Sequence, residues 1–397
     1  MLLFFLGIGE CQWVHLVGGP DSGSISAMCT KGDTLFAARL DKLYRSDDNG
    51  ASWQLIGTGL ESQTLASISA IDSLLFAGSS NGIFRSRDNG DTWEKVYNEL
   101  GVQTNAFIKH NGFIFAASDS VHRSSDNGMT WLTRGMNINV GPKLLSFATI
   151  GSNIFACDYF GVFRSTNEGT MWYFVNPIHN AMDASALIAI GNTLIAAPNA
   201  DGVDRSKVAF YRSTNLGLKW AAIDSSISRP SVSSFAVSGK NIIAGRLGNP
   251  AVSLSSDNGL HWVSAIGGLG DTDVRALAVN SKYLFAGTFN KGVWRRDLVD
   301  FNNAVSSGSV NSSLNFELYP NPSFENAKIT YTLDKRSTVK IEILNPLGQI
   351  VITLFDDMED PGTCTKDFDT RSLPSGSYFV RFVTGGVSSV KVLEVVR

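Results

Sequence analysis

Two acidic residues in predicted loops could take part in catalysis in this chain of 397 residues. Asp158 and Asp201 lie in loops that join short predicted strands, and two carboxylates facing each other across a cleft are the usual groups of glycoside hydrolysis. Loop residues can also bind a ligand by stacking and hydrogen bonding, without any reaction. Together with the two aspartates, the binding candidates are Arg39, Tyr159, Phe160, Arg246, Phe289 and Asn290. Binding without catalysis is our first interpretation, and glycoside hydrolysis is the alternative.

No other group of residues in the sequence suggests a reaction centre. The five histidines are scattered and form neither a metal-ligand pattern nor a Ser-His-Asp arrangement. The cysteines, Cys11, Cys29, Cys157 and Cys364, lie far apart and include no CxxC pair. We therefore expect no metal, no cofactor and no disulfide framework, and we interpret the cysteines as small buried side chains.

The composition restricts the class of protein. A net charge of −3 and the lack of a long basic run argue against nucleic-acid binding through phosphate contacts. No apolar run reaches the roughly 18 residues of a membrane-spanning helix, so we expect no integral membrane segment. Charged residues make up only 17% of the chain and 38 residues are glycine, which is typical of short strands joined by tight turns. The composition therefore predicts an all-β protein.

The strongest internal signal is the pattern S-x-D/N-x-G-x-x-W, which recurs six times at intervals of about forty residues. We call each copy a turn motif, because Asn-Gly and related pairs favour the positive φ of a tight hairpin. The Asp or Asn side chain can accept backbone hydrogen bonds there, and we expect each tryptophan to be buried between neighbouring units. The motif residues are Ser46, Asp48, Gly50 and Trp53; Ser86, Asp88, Gly90 and Trp93; Ser124, Asp126, Gly128 and Trp131; Ser165, Asn167, Gly169 and Trp172; Ser213, Asn215, Gly217 and Trp220; and Ser255, Asp257, Gly259 and Trp262.

A second repeated element shows how many units the chain contains. The apolar segment LFAA at 35–38 is the first of seven copies, and the last is LFAG at 284–287. Units of about forty residues with four strands each are typical of a β-propeller, in which each sheet covers the next. Trp13 occupies the tryptophan position of the seventh unit. The sequence thus predicts a seven-bladed β-propeller over residues 12–299, closed by an N-terminal strand, with the candidate loops on the top face, opposite the turn motifs.

The turn motifs resemble the Asp-box of the bacterial neuraminidase repeat family, in which the box is structural and lies away from the active site. A calcium loop is another interpretation of these residues. Thr58, however, stands where such a loop would need its distal glutamate. The resemblance therefore implies a structural role for the motifs.

Enzymes that share this repeat are matched only in part. Sialidases use an arginine triad and a tyrosine nucleophile, which we cannot assemble here, because the arginines before the turn motifs belong to the repeat. Those arginines are Arg45, Arg85, Arg123, Arg164 and Arg212. Xyloglucanase-like glycosidases also resemble this repeat but use two propellers, and only one fits here. The aromatic and polar residues of the candidate loops favour carbohydrate or protein binding. The repeat also resembles that of the photosystem stability factors, which adds a surface scaffold or assembly factor as an alternative.

The two ends of the chain suggest an export route. Residues 1–11, MLLFFLGIGEC, form an apolar stretch followed by small residues, which is typical of a secretory signal peptide that has lost its basic start. Residues 300–313 are small and polar and are interpreted as a linker. Residues 314–397 contain several segments of alternating apolar and polar residues, which predict a small β-sandwich.

Residues 314–397 resemble the type IX secretion C-terminal sorting domain of Bacteroidota. The residues that carry the match are Tyr319, Pro320, Asn321, Pro322, Gly348, Gln349, Gly376 and Tyr378. The resemblance implies that the type IX translocon and its sortase recognise this segment, and that the protein is secreted or attached to the outer-membrane surface. The predicted function is therefore that of an exported propeller that binds a glycan or a protein.

Overall fold

The protein divides into two compact units, Met1–Asp300 and Phe301–Arg397. The structure is a computed structural model and describes residues 13–39, 42–98, 103–134, 144–158, 161–175, 184–198, 210–223, 231–248, 251–265, 268–299, 316–333, 335–345, 350–384 and 387–397. The expected signal peptide and linker lie outside these residues. Within the described part of the chain, we find no apolar helix of the length that a bilayer crossing requires.

The first unit is built from short strands. In chain order they are β1 (Val14–His15), β2 (Ala27–Lys31), β3 (Thr34–Arg39), β4 (Lys42–Ser46), β5 (Gln54–Ile56), β6 (Leu65–Ile71), β7 (Leu74–Ser79), β8 (Gly82–Ser86), β9 (Glu94–Asn98), β10 (Ala106–His110), β11 (Phe113–Ala117), β12 (Val121–Ser124), β13 (Leu132–Arg134), β14 (Leu144–Ile150), β15 (Asn153–Asp158), β16 (Gly161–Ser165), β17 (Tyr173–Phe174), β18 (Ala184–Ile190), β19 (Thr193–Pro198), β20 (Phe210–Ser213), β21 (Ala221–Ile223), β22 (Val232–Ser238), β23 (Asn241–Arg246), β24 (Val252–Ser255), β25 (Val263–Ser264), β26 (Val274–Val279), β27 (Tyr283–Thr288) and β28 (Val293–Asp297).

Among the described residues these strands form seven four-stranded antiparallel sheets. Sheets 1 to 6 each contain four consecutive strands, from β2–β5 to β22–β25, and sheet 7 contains β26, β27, β28 and β1. In sheet 7, Val14 pairs with Arg295, and the buried Trp13 donates its indole N–H to the carbonyl of Ala265 at 2.9 Å. A strand from the start of the described chain therefore completes the sheet formed at the end of this unit.

Apolar clusters join neighbouring sheets. Phe36 of sheet 1 packs in one cluster with Leu75 of sheet 2, and Phe115 of sheet 3 packs with Ile154 of sheet 4. A further cluster contains residues of sheet 7 together with residues of sheet 1. The second strand of each sheet is an uninterrupted apolar run because neighbours cover both of its faces.

The turn motifs form one recurring set of hydrogen bonds. In the first copy, the Ser46 hydroxyl donates to Asp48 Oδ1 at 2.8 Å and accepts the N–H of Gly50 at 2.7 Å, while Asp48 Oδ1 also accepts the N–H of Ser52 at 2.8 Å. The other five copies repeat this geometry, including the two in which Asn replaces Asp. An amide oxygen therefore serves as well as a carboxylate oxygen, because only acceptance of N–H and O–H groups is required.

The glycine of each turn motif is also a packing position. Gly128 has φ of 76°, and a Cβ there would stand 2.3 Å from Cε1 of Phe76 in the preceding sheet. A side chain at this position would therefore be strained by the backbone and would collide with the neighbouring sheet.

In five of the seven described sheets, an arginine on the third strand connects its sheet to the next one. Each donates to the carbonyl of the residue before the motif glycine, which has positive φ. We call these contacts arginine clasps; they join Arg45 to Asn89, Arg85 to Asn127, Arg123 to Glu168, Arg212 to Asn258 and Arg295 to Asn49, at 2.7–3.1 Å. The last of them joins sheet 7 to sheet 1. Sheets 4 and 6 lack the clasp, since Arg164 donates to Asn153 in its own sheet and Leu254 stands at the equivalent position.

Some buried positions differ from our expectations. Trp53 is only half-buried, whereas the tryptophans of the other five motifs are buried. The described cysteines are free, and of these Cys157 is buried while Cys29 and Cys364 are partly exposed. Burial raises the pKa of the Cys157 thiol, which keeps it protonated and unreactive.

The second unit consists of two sheets around one core. One sheet has the order β29 (Phe316–Tyr319), β30 (Asn326–Leu333), β33 (Gly362–Asp369); the other has the order β32 (Ile350–Glu359), β31 (Ser337–Leu344), β34 (Gly376–Thr384), β35 (Val387–Val395). Phe316, Ile329, Ile341, Val380 and Phe382 fill the space between them. The alternation of apolar and polar residues therefore forms the inner and outer faces of two packed sheets.

We expect Trp172→Ala to reduce the free energy of unfolding by about 3–5 kcal/mol, because it removes a buried aromatic side chain from a packed core. Urea denaturation followed by circular dichroism measures this. Tyr173→Ala is the matched control, since Tyr173 is exposed on the adjacent position and its loss should cost less than about 0.5 kcal/mol. Equal losses in the two variants would contradict the buried role of Trp172.

We expect Arg85→Ala to reduce the free energy of unfolding by about 1–3 kcal/mol, because the carbonyl of Asn127 loses its donor. Arg87→Ala is the control: Arg87 also pairs with Glu94, but it is exposed, so its removal should cost about 0–1 kcal/mol. The arginine clasp would be unimportant for stability if both variants unfolded at the same urea concentration.

Protonation of the motif aspartates should destabilise the first unit below pH 4. Hydrogen bonds from Thr130 hold the pKa of Asp126 at about 2, and those from Ser52 lower that of Asp48. Because these pKa values are lower in the folded than in the unfolded chain, the stabilisation is complete above about pH 4 and is lost as the pH falls towards 2. The double variant Asp48→Asn, Asp126→Asn should show a smaller drop in Tm between pH 4 and pH 2; a drop as large as in the unaltered protein would refute this.

Candidate functional site

The first strands of all seven sheets enclose a cavity of about 360 Å³ in the first unit. Its lining segments are 26–28, 66–69, 105–107, 145–147, 185–188, 233–235 and 275–277. A second cavity of about 500 Å³ lies farther along these strands, and Met28, Ile68, Phe107 and Leu277 line both. These apolar side chains therefore separate a cavity at the beginning of the strands from one at their ends.

Polar side chains on the lining strands link neighbouring sheets. Each donates a hydrogen bond to a backbone carbonyl at the start of the next sheet's first strand or within it. The pairs are Ser67 with Thr104, Asn105 with Leu144, Ser146 with Leu187, Ser185 with Val232 and Ser233 with Val274. These five polar side chains of the cavity wall thus hold neighbouring sheets together. The sequence pattern did not predict these hydrogen bonds.

Arg275 departs from this arrangement. It is the bulged residue of β26, between Val274 and Ala276, at the position where Ser185 and Ser233 donate to the next sheet. Instead of making such a bond, its guanidinium carbon lies 4.6 Å from the centre of the Phe289 ring. The repeat therefore carries, at this one cavity-lining position of sheet 7, a cation stacked on an exposed aromatic ring.

The loop that carries Phe289 is held by Asp271. The Asp271 carboxylate accepts the N–H groups of Asn290 at 2.8 Å and of Thr272 at 2.8 Å. Burial by itself would raise the pKa of Asp271, but these and other hydrogen bonds lower it overall, so the carboxylate stays ionised. The carbonyl of Asn290 also accepts the N–H of Gly23 at 2.8 Å. Sequence reasoning missed Asp271, whose role depends on a loop nineteen residues away.

Arg39 lies on the other side of the same loop. Its guanidinium packs against Gly23, where a Cβ would stand 2.8 Å from Nε, and Gly23 is bonded to Asn290. Within the described residues, no carboxylate forms an ion pair with Arg39 or Arg275. We call Arg39, Arg275, Phe289 and Asn290 the channel mouth, because Arg275 lines the cavity and the other three residues belong to or lie beside the loop that Arg275 contacts. Two cations and one exposed ring thus belong to or flank one loop.

Two other predicted binding residues are buried instead. Asp158 is 0% exposed, and its carboxylate accepts the N–H of Gly161 at 3.0 Å, which holds a turn. Arg246 is 1% exposed and donates to the hydroxyl of Ser253; burial lowers its pKa to about 10. The prediction that both residues lie in exposed loops was wrong, because β15 ends at Asp158 and β23 ends at Arg246, and both side chains are buried.

Several of the predicted site residues lie where the structure does not describe the chain. Tyr159, Phe160 and Asp201 lie outside the described residues, and so do Gly348 and Gln349 of the sorting motif. In that motif the exposed Tyr319 contrasts with Tyr378, which is buried and donates to the carbonyl of Pro374 at 3.1 Å. No group of three or more His, Cys, Asp or Glu side chains in the described chain is placed to hold a metal ion.

Comparison with known protein families identifies the C-terminal segment. A family model described as a secretion system C-terminal sorting domain matches residues 317–395. Such a tail indicates export by type IX secretion to the cell surface or the extracellular space. No curated protein matches the chain by sequence.

Three of the solved structures that are similar to this chain are β-propellers. YCF48 bound to D1 peptide has 13% identity and a TM-score of 0.56, over 73% of this chain and 98% of that one. PorZ, a surface component of the type-IX secretion system of Porphyromonas gingivalis, has 14% identity and a TM-score of 0.51, over 96% and 60%. An ancestral GH74 enzyme has 15% identity and a TM-score of 0.59, over 96% and 55%. At these identities the similarity shows a propeller-like fold and nothing about activity.

Proposed function

We propose that this exported protein is a seven-bladed β-propeller, closed by its N-terminal strand, that binds an extracellular ligand at the channel mouth without catalysing a reaction. The closed ring is supported by the seven sheets, by the pairing of β1 with β28 and by the cluster that joins sheets 7 and 1. The turn motifs are proposed to be Asp-boxes because all six repeat one hydrogen-bond set and serve the scaffold.

The observation that carries the binding proposal is the stacking of Arg275 on Phe289. At the equivalent bulges, Ser185 and Ser233 donate to the next sheet, and Ala66 and Leu145 carry no polar side-chain group. Arg275 is the one charged residue at this position of the described bulges, and it makes no hydrogen bond to the next sheet. A guanidinium that lies over an aromatic ring still has N–H groups that can donate to a carboxylate, sulfate or phosphate group. With Arg39 beside the same loop, the favoured ligand is a glycan or peptide with an anionic group.

A glycoside hydrolase remains the alternative, and the structure gives it less support. Hydrolysis needs two carboxylates about 5–9.5 Å apart on either side of the sugar. Asp158 is fully buried and occupied in a turn, so it cannot approach a substrate. A surface scaffold, the other alternative, would use the same propeller and would bind a protein instead of a glycan.

An array of acidic glycans and acidic peptides, printed beside their neutral counterparts, tests this function. We expect binding only to acidic probes, and we expect Arg275→Ala to weaken the Kd at least tenfold, because a charge-assisted hydrogen bond contributes about 1.5–3 kcal/mol. Arg39→Ala should weaken it as well. Arg87→Ala, which removes an exposed arginine from a turn motif, is the control.

Two results would overturn the proposal. Undiminished binding by the variant with both Arg39→Ala and Arg275→Ala would show that the ligand lies elsewhere. Release of free sugar from a bound glycan would show that the protein is an enzyme. Each variant's Tm should stay within error of the unaltered protein, so that loss of binding is not loss of folding.

A further inference from the structure

We propose that Met129 is a site of reversible oxidation, at which a peroxide converts the thioether to a sulfoxide that the guanidinium groups of Arg85 and Arg87 then bind. Arg85 ends on β8 of sheet 2, with Arg87 two residues later, and Met129 lies in the third turn motif, between β12 and β13 of sheet 3. The proposal goes beyond the proposed function and does not depend on a ligand at the channel mouth.

The Met129 side chain is accessible to a small oxidant. It directly follows the motif glycine Gly128 and is 48% exposed. A cavity of about 330 Å³ lies beside it, and Arg85, Arg87 and Asp126 are among the other residues that line this cavity. A peroxide molecule can therefore reach the sulfur from solvent.

Two cations from the neighbouring sheet converge on this sulfur. Arg85 Nη2 and Arg87 Nη2 both donate to Met129 Sδ, the second of them at 3.0 Å. Arg85 is 1% exposed, and its Nη1 is fixed by donation to the carbonyl of Asn127 at 2.8 Å. Because a thioether sulfur is only a weak acceptor, two charged donors share a poor partner here.

The preceding junction shows an oxygen acceptor at the same position of the repeat. Asp91 follows the motif glycine of the second copy, as Met129 does in the third. Arg45, the clasp arginine of sheet 1, donates both to the carbonyl of Asn89 and to the Asp91 carboxylate, the latter at 2.7 Å. Arg85 makes the equivalent carbonyl contact but meets sulfur instead of oxygen. Oxidation of Met129 places an oxygen acceptor at this position.

The reaction is a single oxygen transfer. A lone pair of the sulfur attacks one oxygen of hydrogen peroxide, the O–O bond breaks as the S–O bond forms, and the second oxygen takes the proton of the first and leaves as water. The sulfur is oxidised by two electrons and the peroxide is reduced by two. Methionine sulfoxide reductases reverse this change.

Oxidation at this place strengthens a contact between sheets. Hydrogen bonds from a guanidinium to a polar oxygen are stronger than those to a thioether. A sulfoxide formed inside an apolar core disrupts packing, but Met129 is half exposed and carries no such cost. The sulfoxide therefore joins sheet 3 to Arg85 and Arg87 of sheet 2 more firmly than the thioether does.

Met171 provides a matched control in the next turn motif. It is 44% exposed, close to the value for Met129. In the described part of the chain, the hydrogen bond to its sulfur comes from the Tyr173 hydroxyl at 4.0 Å, and no guanidinium group donates to it. Peroxide should oxidise both sulfurs, but only the sulfoxide of Met129 has cations to bind it.

Peroxide treatment of the full chain in two variants tests the proposal. Met171→Leu retains Met129, and Met129→Leu retains Met171, while mass spectrometry of tryptic peptides measures the sulfoxide at each position. We expect oxidation to raise the Tm of the first unit by about 2 °C in Met171→Leu and not to raise it in Met129→Leu. Met129→Gln, whose amide oxygen replaces the sulfoxide oxygen, should raise the Tm without peroxide.

Removal of one cation separates binding of the sulfoxide from a general effect of peroxide. With Arg87→Ala added to Met171→Leu, Met129 should still be oxidised, but most of the rise in Tm should be lost. An equal change in Tm on oxidation of Met171→Leu and Met129→Leu would overturn the proposal. So would a Met129 that stays reduced while Met171 is oxidised, or an undiminished rise in the variant that lacks Arg87.

Discussion

The first unit depends on one backbone group, the carbonyl of the residue before each turn-motif glycine. The serine and aspartate or asparagine of the motif hold this residue at positive φ, and an arginine from another sheet donates to it in five of the six turn motifs. The same turn places the glycine against the apolar side chains of that sheet. The same turn therefore determines both the local backbone conformation and the packing between neighbouring sheets.

A scaffold of equivalent units makes exceptions informative. The hydroxyls of Ser185 in sheet 5 and Ser233 in sheet 6 donate hydrogen bonds to the next sheet. At the equivalent bulge of sheet 7, the guanidinium of Arg275 instead lies over the ring of Phe289. Asp271 supports that exception by fixing the loop that carries the ring. The proposed binding residue Arg275 and the carboxylate of Asp271, which holds the Phe289 loop, thus occur together in sheet 7.

The sequence was informative about contacts within one sheet and less so about contacts between sheets. The turn motifs and LFAA-like segments predicted strand positions closely, and Trp13 indicated which sheet β1 joins. Asp158 and Arg246 were assigned to loops because a strand's last residue cannot be distinguished from a loop's first by type alone. The hydrogen-bond partners of Arg85 and Arg123 lie more than forty residues away in the chain. The sequence therefore showed that these arginines recur in the repeat, but not that they join neighbouring sheets. Trp53 is less covered than the equivalent tryptophans, which identical motif residues could not reveal.

The composition of sheet 7 also has a consequence for folding kinetics. Its strands β1 and β28 come from opposite ends of the unit, with Val14 paired to Arg295. Such a contact is the least local in the unit and carries the largest loop-closure entropy. Folding topologies dominated by distant pairings are slow. Sheets 1 to 6 can therefore form from neighbouring segments, whereas the pairing of β1 with β28 must wait until the whole unit has been synthesised. The pairing of β1 with β28 therefore cannot form before the chain has been synthesised as far as β28.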